Sequence, residues 1–173
     1  KSGQLNGLFR VQEFRQDDDH TFVMESQIEE EIADVMEVAD QIYNTFGITY
    51  RAELSTRPED FMGDIEVWNR AEAALKKILD KKYGDEVNEG DGAFYGPKID
   101  LQIKDALGRE WQCGTIQLDF QLPHNFELTY QDSDGTIKEP VVIHRAIFGS
   151  FERFIGILIE NYKGEFPFWI SPY

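Results

Sequence analysis

Three groups of residues in this sequence could bind a nucleotide or a metal ion, and the first group lies within 7–24. It combines an arginine, an aromatic residue, polar residues and a histidine, namely Arg10, Phe14, Gln16, Asp17, Asp18 and His20. A guanidinium group can neutralise a phosphate, and an aromatic ring beside it can stack on a base. This combination is typical of a nucleotide platform, but a polar hairpin with ordinary surface charges accounts for the same residue types.

The second group flanks the dipeptide Gly96-Pro97, which interrupts regular structure and could direct nearby side chains at a ligand. Its members are Tyr95, Lys98, Gln112, Thr115 and Gln117. Side chains alternate between the two faces of a strand, so Lys98, Gln112 and Gln117 need not share a face. By periodicity alone they are ordinary strand residues.

The third group consists of His144-Arg145 and the segment 149–153, in which a helix is predicted to begin near Ser150. Arg153 then lies in the first turn, where the helix dipole disfavours a cation by about 0.3–1 kcal/mol. A cation at that position usually has a specific anionic partner. Either Glu152 or a bound triphosphate could serve.

Histidine and cysteine are scarce in this chain, and they are His20, His124, His144 and Cys113. Zinc accepts nitrogen and sulfur ligands, and a catalytic zinc site needs only three of them from the protein. None of these residues has the local spacing of a metal motif such as CxxC or HExxH. A buried histidine without a metal is therefore the simpler explanation of each. The chain also contains no GxxxxGK[ST], GxGxxG or GxSxG loop.

The hydrophobic pattern predicts three helices. Apolar residues at steps of three and four predict helices over 26–46 and 65–82. A capping box of Ser26 and Glu29 is expected to begin the first helix, and Gly47 to end it. The last helix is expected to direct five residues inward: Phe151, Phe154, Ile155, Leu158 and Ile159.

Alternating apolar and polar residues predict the strands between these helices. Two strands are expected in 7–24 around a charged loop at 12–19, and others at 48–54, 98–104, 109–117 and 141–144. Residues 106–108 are expected to form the turn of a hairpin. Strands around hairpins, interrupted by helices, are typical of an α+β domain built on an antiparallel sheet.

The composition is that of a globular domain, with 173 residues, 41% hydrophobic residues and 29% charged residues. There are 33 acidic and 17 basic residues, so the net charge of -16 argues against a broad nucleic-acid surface. No apolar run approaches the roughly 20 residues of a membrane span, so we expect no contact with a membrane. The single cysteine and the absence of a secretory pattern at the start favour the cytoplasm.

Four segments together resemble the catalytic core of the threonyl-tRNA synthetases over essentially the whole chain. They are GLFRVQEFRQDDDHTF, LSTRPEDFMG, GDGAFYGPKIDLQIKDALGREWQCGTIQLDFQLPHNFELTY and PVVIHRAIFGSFERFIGILIE. The stretch 7–22 resembles the later part of the class II second motif, and 141–160 resembles the third motif. The resemblance implies a class II fold, an antiparallel sheet flanked by helices. It also implies ATP-dependent formation of threonyl-adenylate and transfer of threonine to the 3′ end of tRNA(Thr).

The same resemblance implies a role for each matching residue. It implies that Arg10, Lys98 and Arg153 are catalytic. The residues expected to contact ATP or the adenylate are Arg10, Phe14, Gln16, Gln112, Thr115, Ser150 and Arg153. Those expected around threonine are Gln16, Asp18, Tyr95 and Gln117, and His20 and His144 are expected to bind Zn²⁺. ATP is expected to act with Mg²⁺.

The chain also departs from the family pattern. The family's third zinc ligand is a cysteine upstream of this window, and Cys113 matches a pocket residue instead. Gln12, Arg15 and Asp19 stand where the family has Arg, Thr and Ala. The first motif, which is the family's dimer element, the arginine of the second-motif strand, and the editing and anticodon-binding domains are not found in 1–173.

We therefore expect a partial catalytic domain that is inactive by itself, whose parent is a homodimer. Two alternatives remain: a catalytically idle module that binds a nucleotide or a partner, and an acidic scaffold.

Overall fold

One sheet of six strands organises the chain, of which the computed structural model describes residues 3–172. The strands in chain order are β1 (Asp19–Val23), β2 (Tyr50–Ser55), β3 (Val87–Asn88), β4 (Lys98–Lys104), β5 (Glu110–Asp119), β6 (Tyr130–Gln131), β7 (Ile137–Lys138) and β8 (Val141–Ala146). The order across the sheet is β1-β8-β5-β4-β2-β3, and β6 and β7 form a separate hairpin. The predicted α+β class is confirmed. The sheet is mixed, however, because β3 follows a helical crossover and pairs parallel to β2.

The helices are α1 (Ile28–Thr45), α2 (Ile65–Lys82), α3 (Gln121–Asn125) and α4 (Phe151–Asn161). The predicted bounds of α2 are confirmed, and Gly47 follows α1 with a φ of 67°, in the left-handed region that favours glycine. The prediction of a capping box formed by Ser26 and Glu29 is wrong. A 3-10 turn over Glu25–Gln27 precedes α1, and the Gln27 side chain accepts the backbone N–H of Met24 at 2.9 Å instead.

Only one of the two strands predicted in 7–24 forms, and it is β1. Residues 6–10 make a turn instead, in which the N–H of Asn6 donates to the carbonyl of Arg10 at 3.0 Å. The following segment lies outside the sheet and reaches the start of α4, where the Phe151 N–H donates to the Arg15 carbonyl at 2.9 Å. The alternating pattern of 7–14 therefore reflects a loop packed along α4.

The main hydrophobic core covers one face of the sheet. It joins Leu101, Ile116 and Ile143 of the central strands to Ile32 of α1 and Leu75 of α2, all with no exposed area. Residues that alternate with these strand residues point to the opposite face, which α1 and α2 leave uncovered. That second face carries the polar residues of the site.

Helix α4 does not bury the stripe that its sequence predicts. Phe154, Ile157 and Leu158 are buried on one side of the helix, and Gly156 is buried on the opposite side. The remaining predicted residues, Phe151, Ile155 and Ile159, are 38%, 47% and 40% exposed. Because apolar residues nearly encircle this helix, their spacing could not select the buried side. Contacts with other elements decide it: the Phe154 ring lies 5.3 Å from Phe46 and 4.9 Å from Phe148, while Gly156 on the opposite side leaves room for the loop at Leu8.

Within residues 3–172, no helix combines the length and the apolar character that crossing a bilayer requires.

Candidate active site

Four polar side chains form a row across the uncovered face of the sheet. Lys98 pairs with Gln117, Gln117 with His144, and His144 with His20, in antiparallel register from β4 to β1. Neighbouring strands lie about 4.8 Å apart, so this cross-strand row extends over about 14 Å. Its members come from four segments that are distant in sequence, and only strand pairing aligns them.

A β-bulge in β5 adds Gln112 to the same face. Leu101 of β4 pairs with Gly114, but the next residue, Gln102, pairs with Gln112, so Cys113 is the extra residue. As a result, Gln112 and Thr115 lie together although three positions separate them. The Gln112 Nε2 donates to the Thr115 Oγ1 at 2.7 Å.

Asp100, which sequence reasoning missed, connects these residues beneath the surface. Its carboxylate has no exposed area and accepts hydrogen bonds from Ser55 Oγ at 2.7 Å, from Thr115 Oγ1 at 2.9 Å and from Gln112 Nε2. The Lys98 Nζ lies 2.8 Å from its Oδ2. Burial by itself would lower the pKa of Lys98, but the hydrogen bond and charge of Asp100 outweigh it and raise that pKa. Lys98 is therefore a fixed cation.

Tyr95 and Gln117 meet beside the row. The Tyr95 hydroxyl donates to Gln117 Oε1 at 2.9 Å, and the Tyr95 ring lies 6.0 Å from the His144 ring. A Cβ at position 96 would lie 1.7 Å from the Leu118 carbonyl oxygen, so only glycine allows the chain to bring Tyr95 here. Burial raises the pKa of Tyr95, and the charges of Asp119 and Asp18 add to the effect. The phenol thus remains neutral and able to donate.

The two predicted zinc ligands face each other on neighbouring strands. The rings of His20 and His144 are 4.6 Å apart and meet edge to face at 79°. The His144 Nε2 lies 3.0 Å from Oδ2 of Asp119, a buried carboxylate that sequence reasoning also missed. His20 is exposed and forms no hydrogen bond with the described part of the chain.

No third ligand completes this pair within residues 3–172, where no cluster of three His, Cys, Asp or Glu side chains is arranged to hold a metal ion. His124 lies on α3 at the surface, with its Nδ1 3.2 Å from Glu139. Cys113 is 5% exposed, and burial raises the pKa of its thiol to about 12. A thiol held protonated in this way is a poor metal ligand.

A cavity of about 310 Å³ opens at the start of α4, and we call it the α4 cavity. All seven residues that were expected to contact ATP line it: Arg10, Phe14, Gln16, Gln112, Thr115, Ser150 and Arg153. They come from three separate parts of the chain. A larger cavity of about 660 Å³ between α1 and α2 contains none of the predicted site residues.

Backbone carbonyl groups orient Arg153 in this cavity. Its Nε donates to the Phe9 carbonyl at 3.1 Å and its Nη1 to the Gln112 carbonyl at 2.8 Å, while the guanidinium lies 5.3 Å from the Trp111 ring. Glu152, the alternative partner, instead accepts from Ser150 Oγ and from the N–H of Arg15. Among residues 3–172, no carboxylate forms an ion pair with Arg10 or Arg153. The cavity therefore carries two cations whose charge is not balanced by a direct partner.

The backbone that precedes α4 is held tightly. Gly149 has a φ of 66°, and a Cβ there would lie 2.2 Å from the Cys113 carbonyl oxygen. Ser150 caps the helix, because its Oγ accepts the N–H of Arg153 at 3.2 Å. Asp17 accepts the N–H groups of Ile147 at 2.7 Å and Phe148 at 3.1 Å. These contacts dock the loop that carries Gln16 against the segment that leads into the helix.

Two of the three departures from the family pattern take part in surface ion pairs. The Arg15 guanidinium lies 3.3 Å from Glu13, and Asp19 lies 3.2 Å from Arg145. Nothing in the structure explains Gln12.

Known proteins with a similar sequence belong to one family. The family model of the tRNA synthetase class II core domain (G, H, P, S and T) matches residues 1–162. The threonine–tRNA ligases of Petrotoga mobilis and Symbiobacterium thermophilum are each 60% identical over 99% of this chain, which spans 27% and 26% of their lengths. The chain thus corresponds to about a quarter of these relatives.

Solved structures agree with that result. The RNA-binding domain of threonyl-tRNA synthetase from Cryptosporidium parvum superposes with a TM-score of 0.93 at 50% identity, over 99% of this chain and 44% of that one. A threonyl-tRNA synthetase structure from Aeropyrum pernix superposes with a TM-score of 0.83 at 36% identity, over 99% of this chain and 41% of that one.

Proposed function

This chain belongs to the tRNA synthetase class II core domain family, and from that membership we propose that it is the threonine-activating part of a threonine–tRNA ligase. One observation carries the proposal: the α4 cavity and the cross-strand row adjoin on one sheet face, where Gln112 and Thr115 connect them. Relatives with 60% identity are named threonine–tRNA ligases. Because this chain spans about a quarter of them, the activity is proposed for the longer protein, which we call the parent enzyme.

We assign ATP to the α4 cavity. The two guanidinium groups of Arg10 and Arg153 would neutralise its phosphates, and the Phe14 ring, 54% exposed, would stack on adenine. A volume of about 310 Å³ falls at the lower end of the range for small-molecule sites. Gln16 and Ser150 would contact the nucleotide from the docked loop and the helix cap. Mg²⁺ would enter with ATP.

We assign threonine to the space between Tyr95, Gln117 and the two histidines. Asp18, whose charge acts on Tyr95, would attract the amino group. His20 and His144 suit Zn²⁺ because two neutral imidazoles on adjacent strands are a chemically appropriate donor pair, and a third ligand would come from the parent enzyme. When bound, zinc would supply coordination positions for the amine and hydroxyl of threonine.

This chemistry also suggests which competitors the parent enzyme rejects. Valine lacks the hydroxyl and would leave a polar site unsatisfied, so strong rejection is expected. Serine retains the hydroxyl and would be rejected poorly.

The proposed reaction has two steps. The threonine carboxylate attacks the α-phosphorus of ATP, a new P–O bond forms, and the bond to pyrophosphate breaks. The terminal hydroxyl of tRNA then attacks the carbonyl carbon, and AMP leaves. In both steps the protein would act by positioning and by stabilising negative charge, with Arg10, Lys98 and Arg153 as the cations.

The proposal also covers the tRNA partner, the oligomeric state and the location of the parent enzyme. The partner would be the 3′ end of tRNA(Thr), the parent enzyme would be a homodimer, and its location would be cytoplasmic. The net charge of -16 is compatible with a core that handles only the end of the tRNA.

Calorimetric titration of this chain with Mg-ATP, followed by ATP–pyrophosphate exchange in the parent enzyme, tests the assignment. We expect the chain to bind ATP, Arg153→Ala to weaken binding at least about tenfold, and Arg70→Ala to have no effect. Arg70 is a matched control because it pairs with Glu25 on the exposed surface of α2. Exchange should depend on threonine. ATP binding without threonine-dependent exchange in the parent enzyme would reject the ligase in favour of an idle nucleotide-binding module.

A further inference from the structure

We propose that Asp119 is a positioning residue that selects the tautomer of His144 and thereby makes Nδ1 the metal-binding atom. This inference rests on the proposed function, because it concerns how one of the two histidines would present itself to zinc. It starts from the single hydrogen bond between the His144 Nε2 and the Asp119 Oδ2, at 3.0 Å.

The other oxygen of Asp119 shows why this carboxylate must act as an acceptor. Its Oδ1 accepts the backbone N–H groups of Gln121 at 2.8 Å and Leu122 at 3.0 Å, at the start of α3. Asp119 has no exposed area, so both oxygens are committed to protein partners. A carboxylate that receives two N–H donors on one oxygen acts as an acceptor, and its other oxygen is left to accept from His144. The His144 Nε2 must therefore carry the hydrogen.

A neutral imidazole has one protonated nitrogen and one with a free lone pair. With the proton at Nε2, the lone pair of His144 is at Nδ1, which has no hydrogen-bond partner among residues 3–172. Metal ligation requires such a lone pair, and a carboxylate on the opposite ring nitrogen also raises the basicity of the ligand. Asp119 thus keeps the lone pair of His144 Nδ1 available for a metal ion before the metal binds.

The sheet explains how Asp119 reaches this position. His144 on β8 pairs with Gln117 on β5, and Asp119 is two residues further along β5, so it is the diagonal neighbour on the same face. His20 has no corresponding partner in the described part of the chain. The two histidines therefore differ: the tautomer of His144 is set by the protein, and that of His20 is left to the metal.

The first measurement is a long-range ¹H–¹⁵N correlation spectrum of this chain, free of metal and at alkaline pH so that the imidazoles are neutral. Single His→Gln substitutions at positions 20 and 124 assign the signals. We expect His144 to show the Nε2–H pattern. An Nδ1–H pattern, or an even mixture, would overturn the proposal without any need for a variant.

The second measurement uses Asp119→Asn. The asparagine oxygen can still accept the two α3 amides, but its NH₂ group would face His144 and donate to Nε2, which would move the proton to Nδ1. Thermal unfolding and circular dichroism establish that the variant is folded. Asp100→Asn is the matched control, because Asp100 is an equally buried carboxylate on the same face that touches no histidine. The His144 pattern should change in D119N only, and the same pattern in both variants would overturn the proposal.

Zinc titration of the parent enzyme separates this inference from the proposed function. We expect D119N to raise the zinc dissociation constant by about 10- to 100-fold, and D100N to leave it within about threefold. If the unmodified parent enzyme binds no zinc, the zinc assignment fails, while the tautomer spectra still decide the role of Asp119. Unchanged zinc affinity in D119N, in a parent that does bind zinc, would overturn the proposed role.

Discussion

The α4 cavity and the cross-strand row lie on the same face of one sheet, but their polar groups are held in different ways. In the cavity, carbonyl oxygens of Phe9 and Gln112 orient Arg153, and no carboxylate of residues 3–172 pairs with it. In the row, the buried carboxylates of Asp100 and Asp119 hold Lys98 and His144, and the half-buried Tyr95 holds Gln117. The cavity keeps its charge available, whereas the row has its charges already paired.

This difference indicates two modes of recognition within one site. A carbonyl oxygen fixes a guanidinium without neutralising it, so the cavity retains an attraction for phosphate. Buried Asp100 neutralises Lys98 and buried Asp119 selects one tautomer of His144, so the row recognises its ligand by the placement of donors and acceptors. The variants below change the charge, the donor set or the backbone of one region and leave the other intact.

The largest effect is expected from removing the cation of the cavity. Arg153→Ala in the parent enzyme should lower threonine-dependent ATP–pyrophosphate exchange by about 100- to 1000-fold, because it removes charge stabilisation in the transition state. Arg153→Lys keeps the charge but loses the two carbonyl contacts, so its exchange rate should lie between those of Arg153→Ala and the unmodified enzyme. A loss below about threefold in Arg153→Ala, with Arg70→Ala as the reference, would contradict the role of Arg153.

Removing a donor of the row should act on selectivity. His144→Ala is expected to abolish stoichiometric zinc binding and to reduce the preference for threonine over valine by about 100-fold, since the substrate hydroxyl loses its polar partner. Metal analysis and exchange assays with both amino acids measure this. His124→Ala, at an exposed histidine on α3, should change neither quantity. Equal zinc content in the two variants would reject His144 as a ligand.

A third variant tests the backbone that connects the two regions. Gly149→Ala should lower the free energy of unfolding of this chain by about 2 kcal/mol or more, since its φ of 66° is strained for alanine and its Cβ would collide with the Cys113 carbonyl. Urea unfolding measures the change. Gly135→Ala has a similar φ of 82° but no atom within 4 Å of its Cβ, so it should cost only about 1 kcal/mol. Equal losses would show that the contact with Cys113 is unimportant.

The smallest effect is expected at the helix cap. Ser150→Ala removes the hydroxyl that accepts the Arg153 N–H and should cost about 1 kcal/mol of stability. Ser26→Ala provides the comparison, because its predicted cap does not form, and it should be neutral within about 0.5 kcal/mol. Thermal unfolding of both variants checks this order, and the reverse order would restore the capping box that the sequence predicted.

Local patterns predicted much of the fold. The apolar spacing of 65–82 predicted α2 with its observed bounds, and alternation predicted β4 and most of β5. These predictions succeed because helix and strand periodicity are properties of neighbouring residues. The prediction for α4 failed where that logic ends: its apolar residues surround the helix, and contacts of Phe154 with Phe46 and Phe148 determine which side packs inward.

The sequence by itself determined the three long helices, most strands and the family, along with the residue types of the site, but it did not predict the short helix α3. Tertiary structure alone decided that Lys98, Gln117, His144 and His20 form one row, and that Gln112 turns to the same face through the Cys113 bulge. It also decided the partners of Arg153 and His144. The physical reason is that strand register and hydrogen bonds join residues up to 144 positions apart, and no local periodicity carries that information.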